Sequence, residues 1–402
     1  MHQVDTENLP FIGRREFILL VAALIGLNAI ALDVLLPALP DIGRTTGTGA
    51  GNLPQLTIGI FLLGAGFSAL TIGPLSDSFG RRPALLGGLV LFVVTSLVAP
   101  LSPNLETLLV LRLLQGIGCG ATRLSQAVIR DRHAGNDMAE IMSLSLMVFL
   151  ILPVVAPAMG QAILLIAPWQ ALFFLMAAMG AALLVWVYFR LPETLVAANR
   201  RAFSLPSLVS GLRLIAADRP AMGYGLAAMF QLGALFAFIN SAQQVYGEAF
   251  GLAKLFPIGM GAVALIQSGA AFVCARLIRR LGAERITDIA LVGFAALSGV
   301  LCVFALLGAL PFWLFFVLMS AIMAMFTWAD STLGALALKE LGSVAGTAAS
   351  AFGALQTLGA TLLGSLVGQA YDGTARPLAA GYFVLGLISL VLAVWGQRAK
   401  RA

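Results

Sequence analysis

The sequence has few charged residues for its length. Asp, Glu, Lys and Arg make up only 10% of its 402 residues, whereas a water-soluble domain has about 25%. Hydrophobic residues make up 60% of the chain, which is more apolar surface than a soluble fold can cover. The composition excludes a soluble protein and predicts an all-α polytopic membrane protein, because helices satisfy their own backbone hydrogen bonds in lipid.

Cysteine and histidine are scarce too. The three cysteines, Cys119, Cys274 and Cys302, lie in apolar runs and have neither the spacing of a metal site nor that of a disulfide framework. The two histidines, His2 and His133, lie outside the hydrophobic runs, so histidine is excluded as a proton carrier within the membrane. We expect no metal ion and no cofactor.

Sequence motifs of catalysis and of nucleotide use are missing. The chain contains no HExxH, no GxSxG and no pair of intramembrane acids at helical spacing, so an enzyme would have no candidate residues. It also lacks GxxxxGK followed by Ser or Thr, which excludes a nucleotide-driven pump. The basic residues follow membrane sidedness, and we expect no nucleic acid partner.

Long hydrophobic runs fill most of the chain. The first run is too long for a signal-peptide core, so we expect it to remain as the first helix. A membrane-spanning helix needs roughly 20 apolar residues. On this criterion we predict twelve spans, at residues 16–37, 53–74, 83–102, 105–127, 139–163, 168–189, 221–245, 254–277, 286–308, 311–334, 344–368 and 378–396.

The Lys and Arg residues are distributed unevenly between the two sides of these spans. With a cytoplasmic N-terminus, 19 of the 24 fall on the cytoplasmic side and three on the opposite side, while Arg112 and Arg123 lie inside the fourth span. Because Lys and Arg concentrate in cytoplasmic loops, this distribution predicts that both termini are cytoplasmic.

The longest polar segment divides the chain near its middle. We predict a six-helix bundle over residues 1–189, a cytoplasmic linker over 190–220 and a second six-helix bundle over 221–402. Within the linker, Leu205–Ala217 has an apolar face and is expected to lie along the membrane surface. A weak internal repeat agrees with two halves, because Leu277–Gly282 resembles Leu75–Gly80, which lies half a chain length earlier.

The most distinctive polar segment lies between the second and third spans and reads GPLSDSFGRRP, residues 73–83. Its Gly and Pro predict a tight turn, and its paired arginines should stay on the cytoplasmic side. Asp77 is unusual here, because such anchoring needs no acid. The pattern G-x-L-x-D-x-x-G-R-R resembles the loop between helices 2 and 3 of the major facilitator superfamily of transporters. The alternative is a solvated basic turn.

This resemblance implies a fold of two six-helix halves with a substrate site between them. It also implies a cytoplasmic gate, in which Asp77 faces the start of the eleventh helix, near Ser343–Ala345. The residues implied in this gate are Gly73, Asp77, Gly80, Arg81, Arg82 and Arg130.

Four charged residues fall at membrane depth, where a charge costs at least about 2.5–3.5 kcal/mol. Asp33 in the first span and Arg112 in the fourth lie at similar depth in the outer part, so they are candidate partners across one cavity. Asp33 is the candidate proton carrier, whereas arginine stays charged and Arg112 only pairs with it or modulates it. The alternatives are a helix-end role for Asp33 at the interface and a structural ion pair for Arg112. Arg123 is interpreted as structural, and Asp330 is expected to reach toward water.

Three further segments resemble motifs of proton-coupled facilitators. The run Leu111–Gly120 resembles the helix 4 motif whose arginine, here Arg112, is implicated in proton coupling. Ala156, Pro157 and Gly160 are similar to the antiporter motif of helix 5, although Ala156 replaces its first glycine and Gln161 its last; ordinary small-residue packing is the alternative. Asn28–Pro40, with Val128–Asp131, resembles the bicyclomycin/chloramphenicol-resistance subfamily of drug–proton antiporters. This resemblance implies that Asp33 is the acid needed for drug efflux.

We therefore predict a proton-coupled exporter of small amphiphilic drugs such as phenicols or bicyclomycin, acting as a monomer in a bacterial inner membrane. Its partners would be the small-molecule substrate, protons and the lipid bilayer. A proton-coupled transporter of a sugar, nucleoside or other metabolite is the alternative. Substrate pockets are mostly apolar with a few polar groups, and the candidate pocket residues are Asn28, Gln115, Phe236, Asn240, Gln243, Gln267 and Gln356.

Overall fold

Helices make up most of the chain in the computed structural model, which describes residues 12–48, 51–133, 135–196, 200, 218–339 and 345–401. The α-helices in these ranges are α1 (Arg14–Asp33), α2 (Leu39–Thr45), α3 (Leu56–Phe79), α4 (Arg81–Val98), α5 (Leu105–Gly120), α6 (Leu124–Arg132), α7 (Gly135–Leu164), α8 (Gln170–Arg190), α9 (Arg219–Gln244), α10 (Phe256–Leu281), α11 (Ala283–Leu306), α12 (Phe312–Leu338), α13 (Ala345–Gln369) and α14 (Arg376–Arg401).

These helices make twelve passes along one bundle. A 3₁₀ turn at Leu36–Ala38 joins α1 to α2, and another at Ala121–Arg123 joins α5 to α6, so each pair forms a single pass. Within the described ranges, ten helical segments are long and apolar enough to cross a membrane. The long helices α7 and α13 provide the remaining two passes. The predicted all-α fold is confirmed.

Proline determines where the first helix ends. The predicted span runs to Pro37, but α1 ends at Asp33 and Pro37 lies in the 3₁₀ turn that follows. A proline in a helix lacks the N–H that would bond to the carbonyl four residues earlier, and its ring collides with that carbonyl. For Pro37 that carbonyl belongs to Asp33, so Asp33 becomes the last residue of α1.

The turn between α3 and α4 is much shorter than the sequence predicts. The predicted turn over residues 73–83 is wrong in extent, because α3 continues through Pro74 to Phe79 and α4 begins at Arg81. Gly80 alone makes the turn, with φ of 109°, a conformation that only glycine adopts without strain. Gly282 makes the equivalent turn between α10 and α11 with φ of 81°. Both glycines end the repeated segment, which gives the sequence repeat a structural counterpart.

The helices pack in two groups. Helices α1–α8, the N-terminal group, pack mainly on one another, and so do α9–α14, the C-terminal group. The groups meet along α3 with α13 and along α7 with α10. At the first of these contacts, Gly59 lies against the Ser365 side chain and Gly66 against that of Leu358. Of the linker predicted over 190–220, residues 197–199 and 201–217, which include Leu205–Ala217, lie outside the described residues.

The two ends of the bundle differ in charge. We call the end that contains Arg14, Arg81, Arg190 and Arg280 the arginine-rich end. We call the other end the Asn52 end, after the residue that precedes the 3₁₀ turn leading into α3.

Candidate functional site

Asp33 is a buried acid without a partner. Only 5% of its surface is exposed, and it makes no hydrogen bond or ion pair with any described residue. It lies at the C-terminal end of α1, where the helix dipole is negative and disfavours a second negative charge. An ionised carboxylate costs far more to bury without a partner than a neutral acid does. The position of Asp33 is therefore suited to a group that gains and loses a proton.

Arg112 is fully buried and held by three acceptors. Its Nε donates to the Thr57 carbonyl at 3.0 Å, one terminal nitrogen donates to Gln115 Oε1 at 2.6 Å, and the other to the Ala31 carbonyl at 3.3 Å. Its guanidinium carbon also lies 4.3 Å from the centre of the Phe61 ring, a favourable cation–π distance. These contacts compensate the buried charge and connect α5 to α1 and α3.

Gln115 supports this arginine rather than facing an open pocket. It is fully buried, and its Nε2 donates to Ser96 Oγ at 2.6 Å while its Oε1 accepts from Arg112. The glycine spacing around it permits close helix packing, since a Cβ on Gly116 would collide with the Phe61 carbonyl of α3. A Cβ on Gly118 would lie 2.7 Å from the Phe92 nitrogen of α4. Glycine at both positions lets α5 approach its neighbours closely enough to bury Arg112.

The structure brings the Arg112 side chain to the end of α1 that holds Asp33, but it does not pair the two side chains. Arg112 bonds the carbonyl of Ala31, two residues before Asp33, but no ion pair joins Arg112 to Asp33 among the described contacts. Both residues therefore belong to one region at the end of α1, with the arginine satisfied and the acid left free.

The three residues of the helix 5 motif lie in α7, with Gly160 against the residue after Asp33. Ala156 and Pro157 are buried. A Cβ on Gly160 would overlap the Val34 carbonyl oxygen and lie 3.1 Å from Pro37 Cγ. The motif thus brings α7 into direct backbone contact with the segment that holds Asp33.

At the arginine-rich end, Arg81 joins three helices. It pairs with Asp77 Oδ1 of α3 at 2.6 Å and with Asp131 Oδ2 of α6 at 3.2 Å, and it donates to Ser76 Oγ at 2.5 Å. Arg130 is exposed, and among the described contacts it is the neighbouring Asp131 that meets Arg81. Gly73 lies inside α3. Ser343 and Val344, where the gate partner of Asp77 was expected, lie outside the described residues.

Glu193 is a residue of this end that sequence reasoning missed. Its carboxylate accepts from the backbone N–H groups of Arg81 at 2.9 Å and Arg82 at 3.2 Å, the first two residues of α4. An anion there satisfies unpaired amides and complements the helix dipole. Arg82 donates in turn to the Tyr188 carbonyl at 2.5 Å. No spacing pattern marks Glu193 in the sequence, because it lies far along the chain from the amides that it caps.

Asn52 joins the two groups of helices at the other end, and it was also missed. Its Nδ2 donates to the carbonyls of Gln369 at 2.9 Å and Tyr371 at 2.7 Å. Its Oδ1 accepts from Gln244 Nε2 at 2.9 Å, and its carbonyl accepts from Gln369 Nε2 at 2.7 Å. We call these four hydrogen bonds, which tie the two groups together at this end, the Asn52 clasp.

The candidate pocket residues of the C-terminal group are spread along the bundle. Asn240 bonds the Phe236 carbonyl in its own helix at 2.9 Å, and both residues are buried. Gln267 Nε2 lies 3.6 Å from Met323 Sδ. Gln243 lines a cavity of about 270 Å³ between the groups at the Asn52 end, whereas Gln356 lines a small gap beside Met229.

In the N-terminal group, Asn28 is half-buried in α1, five residues before Asp33. Within the described ranges, no group of three or more His, Cys, Asp or Glu side chains is placed to hold a metal ion.

Comparison with known proteins decides the family. The family model described as the Major Facilitator Superfamily matches residues 21–364. The chain belongs to the major facilitator superfamily. The prediction from GPLSDSFGRRP is confirmed, and this facilitator is a multi-pass membrane transporter of small molecules, since the family and its structural neighbours are transporters and not enzymes.

Its relatives include drug-resistance proteins. This facilitator is 32% identical over 395 residues to the uncharacterized MFS-type transporter YdgK of Bacillus subtilis, covering 95% of this chain and 96% of that one. It is 30% identical over 367 residues to the bicyclomycin resistance protein homolog of Haemophilus influenzae, covering 90% and 91%. The predicted resemblance to the bicyclomycin/chloramphenicol-resistance subfamily is confirmed.

Solved structures show the same fold at low sequence identity. A D-xylose–proton symporter superposes with a TM-score of 0.73 at 15% identity, covering 94% of this chain and 97% of that one. A human organic anion transporter, MFSD10, superposes with a TM-score of 0.61 at 19% identity, covering 95% and 99%.

Proposed function

We propose that this facilitator exports small amphiphilic drugs across a bacterial inner membrane in exchange for protons. The observation that carries the proposal is Asp33, an acid buried at the end of α1 without a partner. The 30% identity with the bicyclomycin resistance protein homolog supports drugs as the substrate class.

In this proposal Asp33 carries the proton. While buried it is held as the neutral acid, since no described group pairs with it or donates a hydrogen bond to it. When the pocket opens to water, hydration stabilises the carboxylate and the proton leaves. Substrate binding near α1 competes with the protonated form, so the drug and the proton cross in opposite directions.

Arg112 supplies a fixed positive charge at the same site. Arginine keeps its charge in proteins, and the three acceptors and the Phe61 ring hold the guanidinium in place. Movement of α1 that breaks the bond from Arg112 to the Ala31 carbonyl would change the distance between the guanidinium and Asp33. Arg112 thereby tunes when Asp33 releases its proton.

We place the arginine-rich end in the cytoplasm, together with both termini, because Lys and Arg concentrate on that side of a membrane. The structure then corresponds to an inward-facing state, closed on the outside by the Asn52 clasp. Two six-helix halves, residues 1–189 and 221–402, rock about the central site while residues 190–220 link them. We expect a single chain to complete the cycle.

In the outward-facing state, Asp77 takes part in the cytoplasmic gate. Asp77 is now partly exposed and paired with Arg81. When the halves close at the cytoplasmic end, its carboxylate is positioned for the N-terminus of α13, where the helix dipole stabilises an anion by about 0.3–1 kcal/mol at an exposed site. An interaction of that size holds one state and still releases it.

A metabolite transporter remains the second candidate, and two residues favour it. Ala156 and Gln161 stand where the antiporter motif has its first and last glycines, so the motif is incomplete. A symporter would move protons in the same direction as its substrate, which is the reverse of the proposed exchange.

Everted vesicles that hold an acidic interior test the proposal. Adding chloramphenicol or bicyclomycin should release protons from vesicles that contain the parent protein, and a pH-sensitive dye reports the release. Asp33→Asn should abolish it. The matched control is Asp41→Asn, which removes a half-buried acid paired with Arg44 at the Asn52 end and should preserve release. Release that persists in Asp33→Asn overturns the role of Asp33, and proton uptake in the parent overturns antiport.

A further inference from the structure

Two charged residues occupy equivalent places in the two groups of helices. Arg123 follows Leu105, the first residue of α5, at the same spacing at which Asp330 follows Phe312, the first residue of α12. At 1.5 Å per residue each lies about 27 Å along its pass. Both passes are the fourth of their group and start at the Asn52 end. Arg123 and Asp330 therefore lie at nearly the same depth, in the half nearer the arginine-rich end.

The repeat relates these two positions across the centre of the molecule. Gly80 and Gly282 make equivalent turns in the two groups, as parallel repeats require. Such repeats are related by an axis along the membrane normal. Two residues related by that axis lie at the same depth on opposite sides of it. Arg123 and Asp330 thus lie at equivalent positions in the opposite groups, on either side of that axis.

Both side chains are exposed at membrane depth. Each is exposed, yet each lies about two-thirds of the way along a pass of the bundle, at membrane depth. Because a charge exposed to lipid at this depth would be costly, both side chains are assigned to an open space inside the bundle and not to the lipid-facing surface. The Asn52 clasp ties the two groups together at the other end, so water reaches the two side chains from the arginine-rich end.

Neither charge has a partner in this state. Arg123 and Asp330 make no ion pair or side-chain hydrogen bond with any described residue, in contrast to Arg112 with its three acceptors. Water compensates them while the space is open. If the space closed at the arginine-rich end, both charges would lose that water. Each unpaired charge at membrane depth would then destabilise the closed state.

We propose that Arg123 and Asp330 form an ion pair that closes the arginine-rich side of the central space in the outward-facing state. The pair opposes the Asn52 clasp: the four neutral hydrogen bonds stabilise the inward-facing state, and the ion pair stabilises the other. A buried pair of opposite charges tolerates the loss of water that a single charge does not. The proposal rests on alternating access, but not on the identity of the drug.

Distances between spin labels test the pair without any substrate. Phe79 and Leu281 end α3 and α10 at the arginine-rich end, and both are exposed. Cysteines at these two positions, in a background without the three native cysteines, report whether that end is open or closed. The measurement is made in the parent and in Asn52→Ala, which weakens the clasp and favours the closed distance.

Removing either charge should reduce the population with the short distance by about tenfold, within the usual range of coupling between states. Arg123→Gln and Asp330→Asn are the single changes. The exchange of the two, Arg123→Asp with Asp330→Arg, should restore the short distance, and Arg123→Lys should retain it. Arg285→Gln is the matched control, since it removes an exposed arginine of α11 at the same end and should change nothing.

Three results would overturn the pair. The first is a short-distance population that neither single variant changes. The second is a short-distance population in the exchanged variant that is no larger than in the poorer single variant. This result counts only if Arg123→Lys folds normally, as shown by size-exclusion chromatography. The third is the absence of the short distance in both backgrounds. If the variants instead lose drug binding with unchanged distances, the two residues contact substrate and do not close the space. Because the readout is a distance without drug, failure here is distinct from failure of the drug-export proposal.

Discussion

Gly160 of α7 lies directly against the backbone carbonyl of Val34, the residue that follows Asp33. A Cβ at position 160 would overlap that oxygen and lie 3.1 Å from Pro37 Cγ. The only side-chain atom that fits at this contact is a hydrogen. The packing of α7 therefore determines where the end of α1, and with it Asp33, is held.

Gly160→Ala should strongly reduce drug-stimulated proton release while it lowers the unfolding temperature only moderately. The added methyl group forces α7 away from α1, and overpacking of this kind costs about 1–3 kcal/mol. Release in everted vesicles and thermal unfolding of the purified protein measure the two effects. Gly87→Ala is the control, because no atom lies within 4 Å of a Cβ there. Equal activity of the two variants would show that the contact is not needed for transport.

Arg112→Lys should destabilise the protein by about 2–4 kcal/mol. Lysine keeps the charge but cannot reach the Thr57 carbonyl, the Ala31 carbonyl and Gln115 Oε1 together, and each hydrogen bond to a charged group contributes about 1.5–3 kcal/mol. Thermal unfolding in detergent measures the loss. Arg44→Lys, at an exposed arginine, should leave the unfolding temperature nearly unchanged. A similar small effect at Arg112 would contradict the role of its three acceptors.

Glu193→Gln should loosen the start of α4 by about 1 kcal/mol. The amide oxygen still accepts hydrogen bonds, but the negative charge that complements the helix dipole is lost. The unfolding temperature at low salt measures the effect, and high salt should shrink the difference between the variant and the parent. Asp288→Asn serves as control, since Asp288 is an exposed acid of α11 beyond the first turn of that helix, and it should leave the unfolding temperature nearly unchanged. A difference that high salt leaves unchanged would argue against a dipole effect.

Asn52→Ala should shift the population toward the outward-facing state by at least about tenfold. The change removes the three clasp bonds made by the side chain, and each such bond contributes about 0.5–1.5 kcal/mol net. Spin labels at Leu53 and Leu255, which are exposed at the Asn52 end, measure the opening. Asn52→Asp should open this end further, because its carboxylate would face the Gln369 and Tyr371 carbonyls. Unchanged distances in both variants would show that the clasp does not hold the bundle closed.

Much of the architecture follows from local sequence. Runs of about 20 apolar residues predict the helices, and the Gly80 turn falls within the segment that the sequence marked. The extent of that turn was wrong, since α3 accommodates Pro74 and runs on to Phe79. Membrane helices tolerate an internal proline when neighbouring groups satisfy the freed carbonyl, so Pro74 was a poor guide to the end of α3, unlike Pro37 at the end of α1.

The sequence by itself determined that this protein is a helical membrane transporter, and it singled out Asp33, Arg112 and Asp77. Hydrophobicity, turn chemistry and motif spacing act over short stretches, none longer than one membrane span, so they can be read along the chain. Only the tertiary structure decided what these residues touch: Arg112 bonds carbonyls of two other helices and not Asp33, Glu193 caps α4, and Asn52 joins the two groups. Such partners lie far apart in the sequence, as Arg112 does from Thr57 and Asn52 from Tyr371. They depend on the rotation and packing of whole helices, which no local pattern specifies.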